Sequence, residues 1–245
     1  MALRPSAIIW SMKEPVKFIS YRKAVYRNFA TVTPSQNLVD DLVADPLERK
    51  TLGKFFYSPE NLKAQPVERV LERSLISFIQ EHINPIFTPD RWRSSRFSDG
   101  TWPVLYSAED EETCLNEVAY HLVHHFYSEE IKAGPVLVDR RVVKLKVSTK
   151  KAVDLTESKW NQARLASADE SGYPYCQQAT KTLLAAGGQL LKTPSSRRQN
   201  GICVPILDRK VISKDEGHLR YIKLVLREEG VQVFKDGPVV KLTSY

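Results

Sequence analysis

Residues 91–130 read RWRSSRFSDGTWPVLYSAEDEETCLNEVAYHLVHHFYSEE, and the order of signals in this stretch decides the fold. Two short extended segments, Arg93 to Phe97 and Pro103 to Ser107, flank Asp99-Gly100, a dipeptide suited to a tight turn. A helix is predicted from about Asp110 to Ser128. Acids at Glu109 to Glu112 suit its start, because a helix N-terminus carries partial positive charge. Cys114, Leu115, Val118, Ala119, Leu122 and Phe126 fall on one apolar stripe at helical spacing. Glu117 points nearly the opposite way and shares its face with Thr113, Tyr120 and His124. No Lys or Arg occurs from residue 97 to 131, although the chain as a whole is basic. A solvated face on such a protein would normally carry cations, so this face also suits the wall of a polar cleft.

Downstream, Val136 to Val147 and Lys151 to Leu155 read as strands. Glu157 to Ala166 and Cys176 to Ala186 read as helices, the second closed by Gly187-Gly188. Short β-rich runs come next, at Ile202 to Leu207, Lys210 to Ser213, Leu219 to Arg227 and Val231 to Phe234. Upstream, Ser35 can cap a helix through Val43. A stronger helix is predicted from Pro66 to Ile83, where Val67, Val70, Leu71, Leu75, Phe78 and Ile79 recur at three and four. Residues 1–30 mix apolar and basic side chains without a clear period. The expected fold class is α+β. Residues 1–90 form a helical N-terminal extension, a packing or partner-docking element, and residues 91–245 form the α+β domain.

The chain has 245 residues and a formal charge of +7. Residues 1–90 hold 12 basic and 10 acidic residues, residues 91–135 hold 4 and 8, and residues 136–245 hold 20 and 11. The C-terminal excess is interspersed with strand residues, as in Arg140-Arg141-Val142-Val143-Lys144-Leu145-Lys146, which reads as a solvated strand face rather than a nucleic-acid surface. No segment has the roughly 18 apolar residues that a membrane-spanning helix needs. The first residues lack the pattern of a signal peptide. Cys114, Cys176 and Cys203 are odd in number and far apart, so a reducing cytoplasm is the expected compartment. His121, His124 and His125 lie at helical spacings, but neither Cys nor an HExxH pattern supports them, and no metal is expected. Gly187-Gly188 lacks the strand–glycine loop–helix context of a Rossmann fold.

Ser95-Arg96-Phe97, Gly100, Tyr106 and Thr113-Cys114-Leu115-Asn116-Glu117-Val118-Ala119-Tyr120 resemble, in order and interval, the first half of the RES-domain family pattern. Tyr175, Gln177, Ala179, Gly188 and Pro194-Ser195-Ser196-Arg197 resemble its second half. Cys114 stands where the family more often has Ala, and Ser195 or Ser196 can be the family serine, depending on register. The resemblance covers about residues 91 to 212. It implies an ADP-ribosyltransferase-like split β-sheet core with flanking helices. The implied enzyme is a toxin that cleaves NAD at the nicotinamide–ribose bond, with phosphate or water as acceptor, and so arrests growth. A protein ADP-ribosyltransferase using the same residues is the alternative acceptor reading, and a non-enzymatic basic nucleic-acid-binding protein is the alternative from another class.

The resemblance implies roles as well. Glu117 binds ribose hydroxyls and stabilises developing positive charge. Arg96, helped by Arg197 and Arg198, holds the diphosphate through planar two-point hydrogen bonding. Tyr106 stacks on nicotinamide. Ser195 orients a phosphate, a ribose hydroxyl or a nucleophile; no partner motif equips it as a covalent nucleophile itself. NAD is a substrate here rather than a resident cofactor. The implied partner is a helix-turn-helix antitoxin, with neither nucleic acid nor membrane bound directly; self-association is left open.

Overall fold

The computed structural model describes residues 16–30, 79–235 and 240–241. Strand β1 (Ile19–Ala30) is followed by a two-stranded hairpin, β2 (Ser94–Ser95) and β3 (Ser98–Asp99). Next come helices α1 (Glu111–His121) and α2 (Ser128–Ala133), then strand β4 (Val136–Asp154). Helices α3 (Gln162–Leu165) and α4 (Tyr173–Ala185) lead to β5 (Leu190–Pro194), β6 (Ile202–Cys203), β7 (Ile212–Arg227), β8 (Gly230–Phe234) and β9 (Val240–Lys241). The class is α+β, as the sequence predicts.

β4 organises the main sheet. Its order is β6-β5-β4-β7-β8-β9, with β1 also paired to β4. β1 runs antiparallel along it from Ala30 opposite Arg140 to Ile19 opposite Ala152. On its other edge, β7 pairs antiparallel from Val136 as far as Val147, and β5 pairs parallel from Ala152 to Asp154. Isolated bridges Tyr26–Ala108, Ala108–Cys203 and Leu105–Ile206 draw the segment after the hairpin between β1 and the β6 region. The cluster around Val25, Leu105, Leu145, Leu190 and Ile206 fills the space under this closure.

Local chemistry explains the element ends. Asp110 caps α1, its Oδ1 accepting from the Thr113 N–H at 2.8 Å while the Thr113 hydroxyl donates back to Oδ2 at 2.8 Å. α4 ends where Gly187 adopts a φ of +91°, letting the Gly187 and Gly188 N–H groups close on Leu184 and Leu183. The helix predicted over Glu157 to Ala166 shortens to α3, because Asn161 caps it and accepts from the Arg164 N–H. The strands predicted at 136–147 and 151–155 are one continuous element.

Three expectations need correction. Residues 19–30 are a strand of the main sheet, not part of a helical extension, so the sheet begins well before residue 91. A register shift between Ile19 and Tyr21 breaks the alternation that would have announced it. The predicted helix at Ser35 to Val43 and most of that at Pro66 to Ile83 lie outside the described residues; Ile79–Ile83 is a π-helical turn. Second, Phe126 is 68% exposed rather than on the core stripe. α1 runs into a π-helical turn at Leu122–Phe126, whose extra residue rotates Phe126 off the stripe. Third, Arg141 is buried and donates to the Ala30 carbonyl at 3.2 Å; only from Lys144 onward does one face open regularly.

Leu145 lies fully buried on β4 in the cluster beneath the closure. Leu145→Ala is expected to cost about 2–5 kcal/mol, read as a lower midpoint in urea unfolding; a midpoint at the wild-type value would place that cluster outside the cooperative core.

Candidate functional site

The hairpin places Arg96 and Phe97 at its two-residue tip. Its shape is held from three sides. The Tyr106 hydroxyl accepts from the Phe97 N–H at 2.9 Å and donates to Ser95 Oγ at 2.8 Å. The Trp102 indole N–H reaches the Phe97 carbonyl at 2.8 Å. The Gln177 amide on α4 donates to the Ser95 and Ser98 carbonyls at 2.8 and 3.1 Å. Burial pushes the Tyr106 hydroxyl up to about 12, so it stays protonated and keeps its place as donor.

Seventy-eight residues separate Glu117 from Ser195, and the fold brings them together. Three donors converge on one carboxylate oxygen, Glu117 Oε1: the Ser195 hydroxyl at 2.5 Å, the Ser196 N–H at 3.1 Å and the Cys203 thiol at 3.4 Å. None of them takes Oε2. The Ser195 oxygen in turn accepts from the Arg197 and Arg198 N–H groups, both at 3.1 Å. The hydroxyl that meets Glu117 is therefore that of Ser195, and Ser196 contributes only its backbone. Burial and the neighbouring carboxylate raise the Cys203 thiol well above its ordinary range, which keeps it a neutral donor rather than a nucleophile.

Glu117 also lines a cavity of about 280 Å³. Of the residues named from the sequence, Arg96, Tyr106, Glu117 and Arg197 line it, and Ser195 does not. Arg197 lays its guanidinium over the Tyr120 ring, 3.2 Å from the centroid, and its buried Nε has no hydrogen-bond partner. Arg96 donates through both terminal nitrogens to the Leu165 and Ser167 carbonyls, at 3.2 and 2.7 Å. It therefore ties the hairpin to the loop before α4 while still facing the cavity.

Arg198 does not line the cavity. Its guanidinium reaches Asp110 Oδ2 at 3.3 Å, Thr113 Oγ1 at 3.1 Å and Glu112 Oε2 at 2.7 Å, and so it clamps the start of α1. Of the Glu117 face predicted on α1, Thr113 is buried, Tyr120 is half-buried under Arg197, and His124 is exposed.

Sequence reasoning missed Arg27, on β1. It lines the cavity, its buried Nε has no hydrogen-bond partner, and the guanidinium sits 5.4 Å from the Phe29 ring. Burial lowers its pKa. Arg27 is two residues from the fully buried Val25 and so shares its face of the strand. That signal was available only once residues 19–30 were known to be a strand. Three guanidinium groups thus face one carboxylate, a wall suited to an anionic ligand carrying one local centre of positive charge. Among the described residues no three His, Cys, Asp or Glu side chains gather as a metal site would need, and no helix is long and apolar enough to cross a membrane.

A family model described as RES domain matches residues 69–223. The matched range takes in the hairpin, α1 and the Ser195 turn, and leaves β1 with Arg27 outside. No curated protein matches the chain.

The Ser195 turn depends on Gly201. A Cβ there would stand 2.8 Å from Thr113 Oγ1 and 3.0 Å from the Ser195 Cβ. Gly201→Ala is expected to push the turn from α1 and cost about 1–3 kcal/mol in chemical denaturation. Wild-type stability for this variant would show that the turn and helix are not in rigid contact.

Proposed function

The chain belongs to the RES-domain family, and from that premise we propose an NAD-degrading enzyme that cleaves the bond between nicotinamide and ribose, with phosphate or water as acceptor. One observation carries the reading: Glu117 is fixed through Oε1 by three uncharged donors and lines a cavity that Arg27, Arg96 and Arg197 line as well.

The chemistry fits that arrangement. As the glycosidic bond breaks, nicotinamide leaves with the electron pair, and its ring nitrogen becomes neutral. Positive charge builds on the ribose, as in glycoside hydrolysis. Glu117 Oε2 accepts hydrogen bonds from ribose hydroxyls and stabilises that charge. Its donors hold it in place beforehand, so little reorganisation accompanies the reaction. Arg27 and Arg197 hold the diphosphate, with Arg96 contributing at the hairpin tip. The Tyr106 ring forms a wall for nicotinamide, and its hydroxyl serves the hairpin. Ser195 is a positioning residue: it donates to Glu117 and accepts two backbone N–H groups.

The parting of β7 from β5 along β4 supports an ADP-ribosyltransferase-like split sheet. The inward aim of the three arginines favours an enclosed anionic substrate over a nucleic-acid backbone lying across a surface. In the cell, such an enzyme acts as a cytoplasmic toxin that depletes NAD and is held in check by a helix-turn-helix antitoxin.

Purified protein incubated with NAD, with and without inorganic phosphate, is expected to release nicotinamide, followed by chromatography. Glu117→Gln keeps the volume and removes the charge, and should slow release by at least about a hundredfold. Arg27→Ala should raise KM for NAD by about tenfold or more, since a hydrogen bond to a charged group contributes about 1.5–3 kcal/mol. Release by Glu117→Gln at the wild-type rate would sink the assignment. Label from NAD appearing on protein instead would assign a protein side chain as the acceptor.

A further inference from the structure

His121 lies one helical turn beyond Glu117 on α1 and lines the same cavity. Its ring stands at the rim, exposed on one side and packed on the other. The Tyr120 ring meets it edge-on at 5.6 Å and the His125 ring lies 5.3 Å away. Among the described residues no hydrogen bond ties either ring nitrogen. We infer that His121 is the base that takes the proton from water when water is the acceptor. This inference rests on the NAD-cleaving reading of the site.

Elimination along the cavity wall leads to the same residue. Arg27, Arg96 and Arg197 present guanidinium groups, which offer no lone pair. Tyr106 and the Cys114 and Cys203 thiols are held in their neutral forms by burial, and Tyr173 is shifted the same way. Glu117 spends Oε1 on its donors, and the proposed reaction assigns its other oxygen to the ribose. His121 is the one group of this wall with a lone pair suited to proton transfer near neutral pH. The charges facing it keep that lone pair available. Partial burial lowers its pKa most. Glu117 on the same helix pulls it upward, while His125 on the following turn, Arg197 from the β5–β6 turn and Arg96 at the hairpin tip push it down. The imidazole is therefore neutral at pH 7, as a base must be.

The step balances without a further reactant. The C–N bond breaks and nicotinamide takes both electrons. The water oxygen forms the new bond to the ribose carbon, and its proton passes to the imidazole and then to solvent. NAD and water give nicotinamide, ADP-ribose and one proton. Phosphate as its dianion presents an oxygen that carries no proton, so its attack needs no base. The two acceptors must therefore depend differently on His121.

The test compares full-length wild type with His121→Gln and His121→Ala, measuring ADP-ribose and its phosphorylated counterpart separately with and without phosphate, after thermal melts confirm folding. The side chain is at the rim, so both variants should fold. The product ratio in the variants is expected to shift toward the phosphate product by about a hundredfold, with KM for NAD near the wild-type value. Wild-type hydrolysis should fall in acid as the imidazole protonates, with its midpoint below the ordinary value of about 6.5, and the variants should lose that acid limb. An unshifted ratio overturns the inference, whether both products fall together or neither changes, and so does a wild type that makes only the phosphate product. A wild type that releases no nicotinamide under either condition overturns the NAD-cleaving reading itself, and the inference with it.

Discussion

Between Val147 and Ala152, the edge of β4 opposite β1 loses β7 and takes up β5. A strand edge left unpaired exposes a row of hydrogen-bonding groups, so the change of partner must be compact. β1 spans it on the other edge, with a register shift between Ile19 and Tyr21, and holds the two parts together. The β5 side then carries the turn from Pro194 to Gly201 toward α1, and the 105–108 segment fills in between β1 and the β6 region. Glu117, Ser195, Tyr106 and Arg27 converge because their elements are all anchored around this parting. The cavity lies among β1, the hairpin, the 106–108 segment, α1 and the turn after β5.

Charge is sorted with equal economy. Glu117 is gripped by a hydroxyl, a backbone N–H and a thiol, none of which neutralises it. The four acids at the start of α1 are occupied elsewhere: Glu109 by Lys23, Asp110 and Glu112 by Arg198, and Glu111 by Arg220 and Lys235. These pairs keep carboxylates away from the cavity guanidiniums. Arg198 serves the site in this way without touching it, and its neighbour Arg197 faces inward. A one-residue step along a turn reverses what a side chain can reach, and sequence intervals do not resolve that.

Much of the site was legible. The absence of Lys and Arg from residue 97 to 131 set Glu117 apart from a solvated face, and the Asp110 and Gly187 signals marked helix ends where they occur. The features that escaped were governed by distant pairing. β1 hid because a register shift disturbs its alternation and because Asn28 and Arg27 are drawn inward: Asn28 accepts from Arg140 Nε at 2.6 Å, and Arg27 faces the cavity. The exposure of Phe126 came from a π turn, which leaves no mark in hydrophobic spacing. Ser195 and Ser196 were separable only by geometry, since both contribute a donor to the same oxygen.

The cavity also sets a tension between folding and binding. A buried cation lacking a counter-charge costs several kcal/mol, and burial correspondingly lowers the pKa of Arg27. Aromatic rings beside Arg27, Arg96 and Arg197 offset part of that cost through cation–π attraction. Carbonyl acceptors offset more of it for Arg96, but rings and carbonyls carry no net charge. An anionic ligand would bring negative charge to the same groups, and charge-assisted hydrogen bonds are about twice as strong as neutral ones. Packing, these rings and these carbonyls therefore hold the guanidiniums where they face the cavity. Rigid packing around under-compensated charge makes a site selective for anions, because an uncharged ligand of the same shape would leave the electrostatic cost in place.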